Sequence, residues 1–324
     1  MPDYTVLPIS SMSPWHSLKK AILWLVLVIP IGYYGVTVWQ RPKPHTIKDQ
    51  PLFQGITYSR HISPQPRPHI LHIVDIDLKT PGLSPFVTQA YAGLEITKRG
   101  ISKRYSTRAQ RTSKFLETHQ LQLAINANFF LPFKEVTPWY YIPRTGQEIN
   151  LVGLAMSEGK VVTAVNPHNK PAPPAVCFRA QQAVINSSGT CEKGTQYAVA
   201  GNLLLLQNGQ TTHQLTTQVG REGERPYSLT IVALDKTGTR LWLVLVDGKQ
   251  PFYSEGLTLA EVVKFIQTLG AETAVRLDGG GSTTLVTASP TGPKLLNTPI
   301  HSKVPGRERP VGNHLGFWAA PASP

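Results

Sequence analysis

Apolar and polar positions alternate over short stretches through most of the chain, and one long apolar run stands near its N-terminal end. Ala21 to Val38 (AILWLVLVIPIGYYGVTV) holds 18 positions without a charged side chain. As a helix this spans about 27 Å, close to the thickness of a hydrocarbon core. Pro30 and Gly32 suit a membrane helix better than a soluble one, and Trp15, Trp24, Tyr33, Tyr34 and Trp39 gather towards the ends of the run, as interfacial aromatics do. The run is longer than a secretory leader's apolar segment, and no small-x-small cleavage pattern follows it. Residues 21–38 therefore read as an uncleaved transmembrane anchor behind an N-terminal tail of residues 1–20. Lys19 and Lys20 before the run and Arg41, Lys43 and Lys48 after it leave its orientation nearly balanced.

Residues 39–68 carry Pro42, Pro44, Pro51, Pro64, Pro66 and Pro68 with little apolar periodicity, which predicts a stiff extended tether. The main domain then covers 69–324. Within it, ILHIVDIDL (70–78) has the alternation of a strand with one wet face. Ser106 to Gln120 reads as a helix with a basic face, and LQLAINANFF (121–130) as a strand entering an Asn-rich loop. Hairpins are expected around Glu158-Gly159, around Asn208-Gly209, and across 229–248 about a Lys-Thr-Gly-Thr turn. TLAEVVKFIQTLG (258–270) reads as an amphipathic helix with a Thr258/Glu261 capping box and a terminating Gly270. AVRLDGGGSTTLV (274–286) reads as strand, glycine loop, strand. No internal repeat argues for a solenoid or propeller. The fold class is α+β: antiparallel or mixed sheets packed with a few helices, preceded by one N-terminal transmembrane helix.

Composition sharpens this only in places. With 28 Pro and 26 Gly, an all-helical bundle is hard to build. A formal charge of +13 favours anionic partners, but the basic residues are dispersed and aromatics are few, so nucleic acid is not expected. The two cysteines, Cys177 and Cys191, would close a loop of about 15 residues, worth ~3 kcal/mol in the chain-entropy model. A bridge there implies an oxidising compartment; two unpaired buried thiols are the alternative. Taken with the anchor, this points to a single-pass membrane protein whose main domain lies on the extracytoplasmic side, periplasmic or extracellular.

The candidate chemistry centres on Asp278-Gly279-Gly280-Gly281-Ser282-Thr283. Consecutive glycines at a strand end allow successive N–H groups to converge on an anion, with Ser282 and Thr283 as hydroxyl donors and Asp278 as a carboxylate at the rim. A flexible turn is the plainer reading. No GK[ST] closes the loop and no helix follows it, so neither nucleotide-loop motif fits. Asn126 and Asn128 offer donors and acceptors suited to sugar hydroxyls or a phosphate oxygen, though loop asparagines also cap turns. Asp247, before Gly248, stands at the end of an apolar strand, where both function and a plain turn are common. Glu261 reads as the capping partner. Arg307, Arg309 and Asn313 lie in GRERPVGNHLGF, where guanidinium groups could clamp phosphate or simply be solvated. Lys98 to Lys114 is a basic run without an acid, read as a solvated helix face or a resting place for anionic lipid or polysaccharide. Neither a G-x-S-x-G nucleophile elbow nor an HExxH helix is present.

In their order along the chain, INANFF, VDGKQ, GLTLAE, LDGGGS and RPVGN resemble the phosphodiester glycosidase family, of the N-acetylglucosamine-1-phosphodiester α-N-acetylglucosaminidase type and its bacterial, exopolysaccharide-related branch. The likeness covers roughly residues 70–320. It implies a hydrolase that splits a sugar-1-phosphodiester, releasing the sugar and a phosphomonoester. Residue by residue, Asn126, Asn128, Asp247, Asp278 with Gly279, Gly280 and Gly281, Ser282, Arg309 and Asn313 match the family's motif positions; Asp278 and Asp247 are the catalytic candidates, and Thr283 and Arg225 complete the expected substrate- and phosphate-binding set. One position departs from the pattern: Leu229 stands where the family shows an Arg. Either Arg225 substitutes for it, or the chain is differently specific, or it is inactive and binds acidic polysaccharide without cleaving it. Carboxylate and Asn oxygens would also suit a divalent cation such as Ca²⁺.

Overall fold

The computed structural model describes residues 14–91, 107–166, 168, 171–218 and 224–322. Ser106, the first part of the basic run at 98–104 and most of the expected N-terminal tail lie outside them. The chain divides into two compact units, Met1–Arg41 and Pro42–Pro324.

In the first unit the apolar run is helical, Pro14–Trp39, with Pro30 inside the helix. Among the described residues, no helix is long and apolar enough to cross a membrane.

The second unit is layered. An eight-stranded, wholly antiparallel sheet runs in the order 47–53, 56–63, 69–77, 240–247, 229–234, 273–276, 203–207, 210–211. Its residues alternate between two cores. Val232, Leu243 and Val275 point to one face, against Ile125, Leu285, Leu315 and Phe317 of a five-stranded sheet and Phe178 and Val199 of another. Ile231 and Val244 point to the other face, where Val262, Val263 and Ile266 of the helix Leu259–Thr268 cover them. The second sheet has the order 294–295, 285–287, 123–126, 314–318, 84–87, and the third 160–163, 155–157, 197–200, 175–179, 182–186. On the far side of the second sheet, Phe115 and Leu116 of a short helix pack on Phe86, Ala124 and Val286.

Several expectations need correction. The proline-rich stretch 39–68 is no tether. Ile47–Phe53 and Ile56–Ser63 form a hairpin, and the second strand pairs with His69–Asp77 from Ile56↔Ile76 to Ser63↔His69. Pro51 is tolerated because its strand is the sheet edge, with no outer ladder to break. The strand His69–Asp77 has no wet face over most of its length, since it lies inside a sheet covered on both sides; only its last turn of polar residues, Asp75 and Asp77, reaches solvent. The helix expected at 106–120 shrinks to Thr112–Thr118, and Thr107–Arg108 is a strand pairing with Glu148–Ile149. The 274–286 segment is strand, glycine loop, strand as read, with Thr273–Arg276 in the central sheet and Leu285–Thr287 in the second.

Local signals elsewhere appear as read. Glu158 and Gly159, and Asn208 and Gly209, all take positive φ in two-residue turns, where the mirror-image turn matches strand twist. Thr258 and Glu261 make both bonds of the capping box. Cys177 and Cys191 form a disulfide.

Candidate active site

The glycine loop is the crossing from the central to the second sheet, and asparagine side chains fix it there. Asn126 Nδ2 donates to the Asp278 carbonyl at 2.5 Å, while its Oδ1 accepts from Thr284 N and from the Thr230 hydroxyl, each at 3.1 Å. One amide therefore clamps both ends of the loop. Asp278 N donates to Ala127 O at 3.0 Å and Gly280 N to Ser228 O at 2.8 Å. The glycines are demanded by close approach. A Cβ on Gly279 would lie 2.7 Å from Ser228 O, Gly280 has φ +63°, and a Cβ on Gly281 would strike the Arg309 guanidinium. Gly280 N–H donates to Ser228 O and Gly279 N–H to the Asp278 carboxyl, so the glycines do not form an open nest of three free amides. It is a rigid ledge that carries Asp278.

Asp278 lines a cavity of about 680 Å³. Burial pushes its carboxyl up to about 6, against the opposing hydrogen bonds of the Ser282 hydroxyl and Gly279 N–H and the charges of Arg309 and Arg276. A carboxyl in that range can hold or release a proton near neutrality. Ser282 also accepts from Arg309 Nη1 at 3.0 Å, and Arg309 Nη2 donates to Glu135 Oε2 at 2.9 Å. Glu135 further accepts from Ser302 N at 2.6 Å and lies 3.2 Å from His301 Nδ1. Burial would raise the Glu135 carboxyl, but His301, Arg309 and Ser302 more than reverse this and hold it well below the usual carboxylate range. Arg309, itself only 5% exposed, is thus aimed from behind at the cavity wall beside Asp278.

The cavity lining holds four cations, Arg225, Lys249, Arg276 and Arg309, against two carboxylates, Glu135 and Asp278. Arg276 Nε donates to Asn202 Oδ1 at 2.9 Å, and Lys249 Nζ donates to the Tyr227 hydroxyl at 2.8 Å. Leu229 also reaches this wall. Arg276 lies on the strand that pairs with that of Leu229. Phe129, Phe130 and Phe133 complete an apolar side.

The structure does not bring every expected residue here. Asp247, 2% exposed, does not line the cavity. Its Oδ2 lies 3.1 Å from His72 Nε2, its Oδ1 accepts from Asn297 Nδ2 at 3.0 Å, and Thr298 N approaches both oxygens. His72 Nδ1 is in turn 2.8 Å from the Tyr58 hydroxyl. Asp247 is therefore a structural acid, and its assignment as catalytic is corrected. Asn128 bonds Val152 O, Leu154 O, Ala200 N and the Asn313 amide; with both amides spent inside the protein, Asn128 and Asn313 hold loops and not substrate. Thr283 is buried between Thr230 and Asn297. Arg225 sits exposed at the rim. Among the described residues, no group of three or more His, Cys, Asp or Glu side chains is placed to hold a metal ion.

Sequence reasoning missed Glu135, Arg276 and the Tyr227–Lys249 pair. Arg276 had a signal: two residues before Asp278, it shares the parity of that acid along the strand direction. Glu135 had none, because its role comes from a hairpin folding over a distant arginine.

A family model for phosphodiester glycosidases matches residues 119–318. The chain belongs to that family. No curated protein sequence matches it. Among solved structures it is similar to the zebrafish N-acetylglucosamine-1-phosphodiester alpha-N-acetylglucosaminidase catalytic domain, auto-inhibited by its pro-peptide, with 19% identity, a TM-score of 0.55, and 84% of this chain and 85% of that chain covered. A hypothetical protein from Synechocystis gives 16% identity and a TM-score of 0.50, over 86% of this chain and 64% of that one. At these identities the likeness speaks for the fold, so the case for a glycosidase site in this chain rests on its own cavity.

Proposed function

We propose that this protein hydrolyses a sugar-1-phosphodiester in a glycan or exopolysaccharide-related substrate, and that Asp278 is its catalytic carboxyl. The observation that carries the reading is an acid of raised pKa opening on a cavity in which cations outnumber carboxylates. Arg309 and Arg276 would hold the diester phosphate, strengthening it as a leaving group. The sugar C1–O bond breaks, the phosphomonoester departs, and water adds to C1. Asp278 stabilises the oxocarbenium-like carbon or takes the proton of the attacking water. Arg225 at the rim and Lys249 add attraction for the anion without closing the site.

The cations around Leu229 favour this over a purely binding role, since the charge that an arginine there would supply is present on neighbouring residues. We further infer an extracytoplasmic location, held by the N-terminal apolar helix; the disulfide supports an oxidising compartment. A carbonate wash that releases the full chain from membranes would count against the anchor.

The functional test is a screen of sugar-1-phosphodiesters with the full chain, reading free sugar, alongside Asp278→Asn. Turnover that Asp278→Asn abolishes is the expected outcome. Turnover that survives this substitution removes Asp278 from the chemistry, and glycan binding with no release by the wild type favours the non-catalytic reading.

A further inference from the structure

The hairpin that supplies Glu135 carries more than that acid. Its strands, Lys134–Glu135 and Tyr141–Ile142, pair antiparallel, and its inward side is fully engaged: Glu135 holds Arg309, and Tyr141 meets the His301 ring edge-on at 4.4 Å. The tip is ordered by its own bonds. Tyr140 N donates to the Thr137 hydroxyl at 2.9 Å, Arg144 Nη2 to Trp139 O at 3.2 Å and Arg307 Nη1 to Pro138 O at 2.7 Å. Yet Trp139 is 68% exposed and Tyr140 50%. An ordered aromatic pair in water, held by two arginines, is an unusual use of large apolar area.

Two facts indicate what covers it. First, the pair sits on the same hairpin as Glu135, which lines the cavity together with the preceding Leu131 and Phe133. Second, the hairpin is basic: Lys134 stands 4.9 Å over the Tyr140 ring, and the sole acid from 130 to 144, Glu135, is neutralised by Arg309. Flat aromatic faces beside fixed cations suit sugar rings bearing phosphate or carboxylate groups.

We propose that Trp139 and Tyr140, with Lys134, form an outer subsite for an anionic sugar polymer whose scissile phosphodiester lies in the cavity. This rests on the hydrolase reading and extends it: the substrate is a chain, not a small diester. The test compares the full wild-type chain with a Trp139→Ala/Tyr140→Ala double variant and with Trp139→Phe. The probes are a poly(hexose-1-phosphate) and the methyl hexose-1-phosphodiester of the same sugar. The ratio of kcat/KM for polymer to that for the short diester should fall about tenfold in the double variant, through KM, and recover in Trp139→Phe. An unchanged ratio overturns the subsite.

If the wild type cleaves neither probe, the hydrolase reading fails, and polymer binding by calorimetry decides the subsite separately: binding weakened about tenfold by the double substitution upholds it, and binding unaffected overturns it. Weaker binding of the double variant to phosphatidylglycerol–phosphatidylcholine vesicles, with polymer binding intact, would show a membrane-contacting tip and also overturn it.

Discussion

Two aspartates in this protein stand before a glycine at the end of an apolar strand, and they have opposite fates. Asp247 is enclosed by His72, Asn297 and Thr298, which leave it no outward-facing lone pair. Asp278 is supported by one hydroxyl, one amide N–H and two arginine charges, and its carboxyl faces a cavity. The same dipeptide therefore serves stability in one place and, on the function proposed above, chemistry in the other. The difference lies in what the neighbouring sheet delivers. Asp247 meets the loop at Asn297 and Thr298, whereas Asp278 is carried across to the second sheet on a glycine ledge.

This contrast is broken most sharply by removing each acid in turn. Asp278→Asn should lower turnover by roughly 10²–10⁴-fold, the usual worth of a positioned proton-transfer group, with the folded structure retained. Asp247→Ala should do the reverse. It strands the His72 ring, the Asn297 amide and Thr298 N–H in a buried site, at a cost of about 3–5 kcal/mol of stability, read as a lower denaturant midpoint. Activity per folded molecule should hold. If Asp247→Ala instead lost activity at unchanged stability, Asp247 would return to the mechanism.

Gly281→Ala tests whether the ledge is there for packing. Its Cβ would collide with the Arg309 guanidinium, and moving Arg309 off Ser282 should cost about 1–3 kcal/mol. KM should rise as Arg309, proposed above to hold the phosphate, shifts. A Gly281→Ala protein with native stability and KM would mean that the loop yields freely, and that the triple glycine has another cause.

The legibility of this fold divides along the same line. Interactions that close within a few residues could be read from the sequence: the Thr258/Glu261 capping box, the Asn208-Gly209 and Glu158-Gly159 turns, and the hairpin 229–248. The glycine loop could be identified as the centre of the site, but not as a ledge, because its constraints come from Ser228, Asn126 and Arg309 far along the chain. Asn126, Asn128 and Asn313 carry the same donors and acceptors whether they face a sugar or a backbone, so residue type alone could not separate the two uses. The strands at 47–63 were hidden by Pro51 and by the prolines that flank them, and the one proline inside a strand, Pro51, stands on the sheet edge, which tolerates it. Whether a strand such as His69–Asp77 is covered on one face or both depends on a helix nearly two hundred residues away.

The smallest expected effect is also the most specific to Asp278. Its pKa is raised in the fold from 3.8 to about 6. Its contribution to stability is therefore fully present below pH 3.8 and lost as pH rises through about 6. The wild-type curve alone cannot isolate this, because His119, His301 and His314 are all shifted down, chiefly by burial, and cost stability as pH falls below 6.5. Glu135, a carboxyl held below its ordinary value, keeps its contribution near neutrality and loses it at more acid pH. These groups are common to wild type and Asp278→Asn, so the difference between the two proteins cancels them. That difference should move in favour of Asp278→Asn between pH 4 and 7 by about 1–2 kcal/mol, allowing for water in the cavity. The activity profile should show a limb near pH 6. It rises with pH if Asp278 works as a base or nucleophile and falls if it works as an acid. A stability difference that is flat with pH would mean that Asp278 is solvated like any surface carboxylate, and the raised-pKa basis for its catalytic role would fail with it.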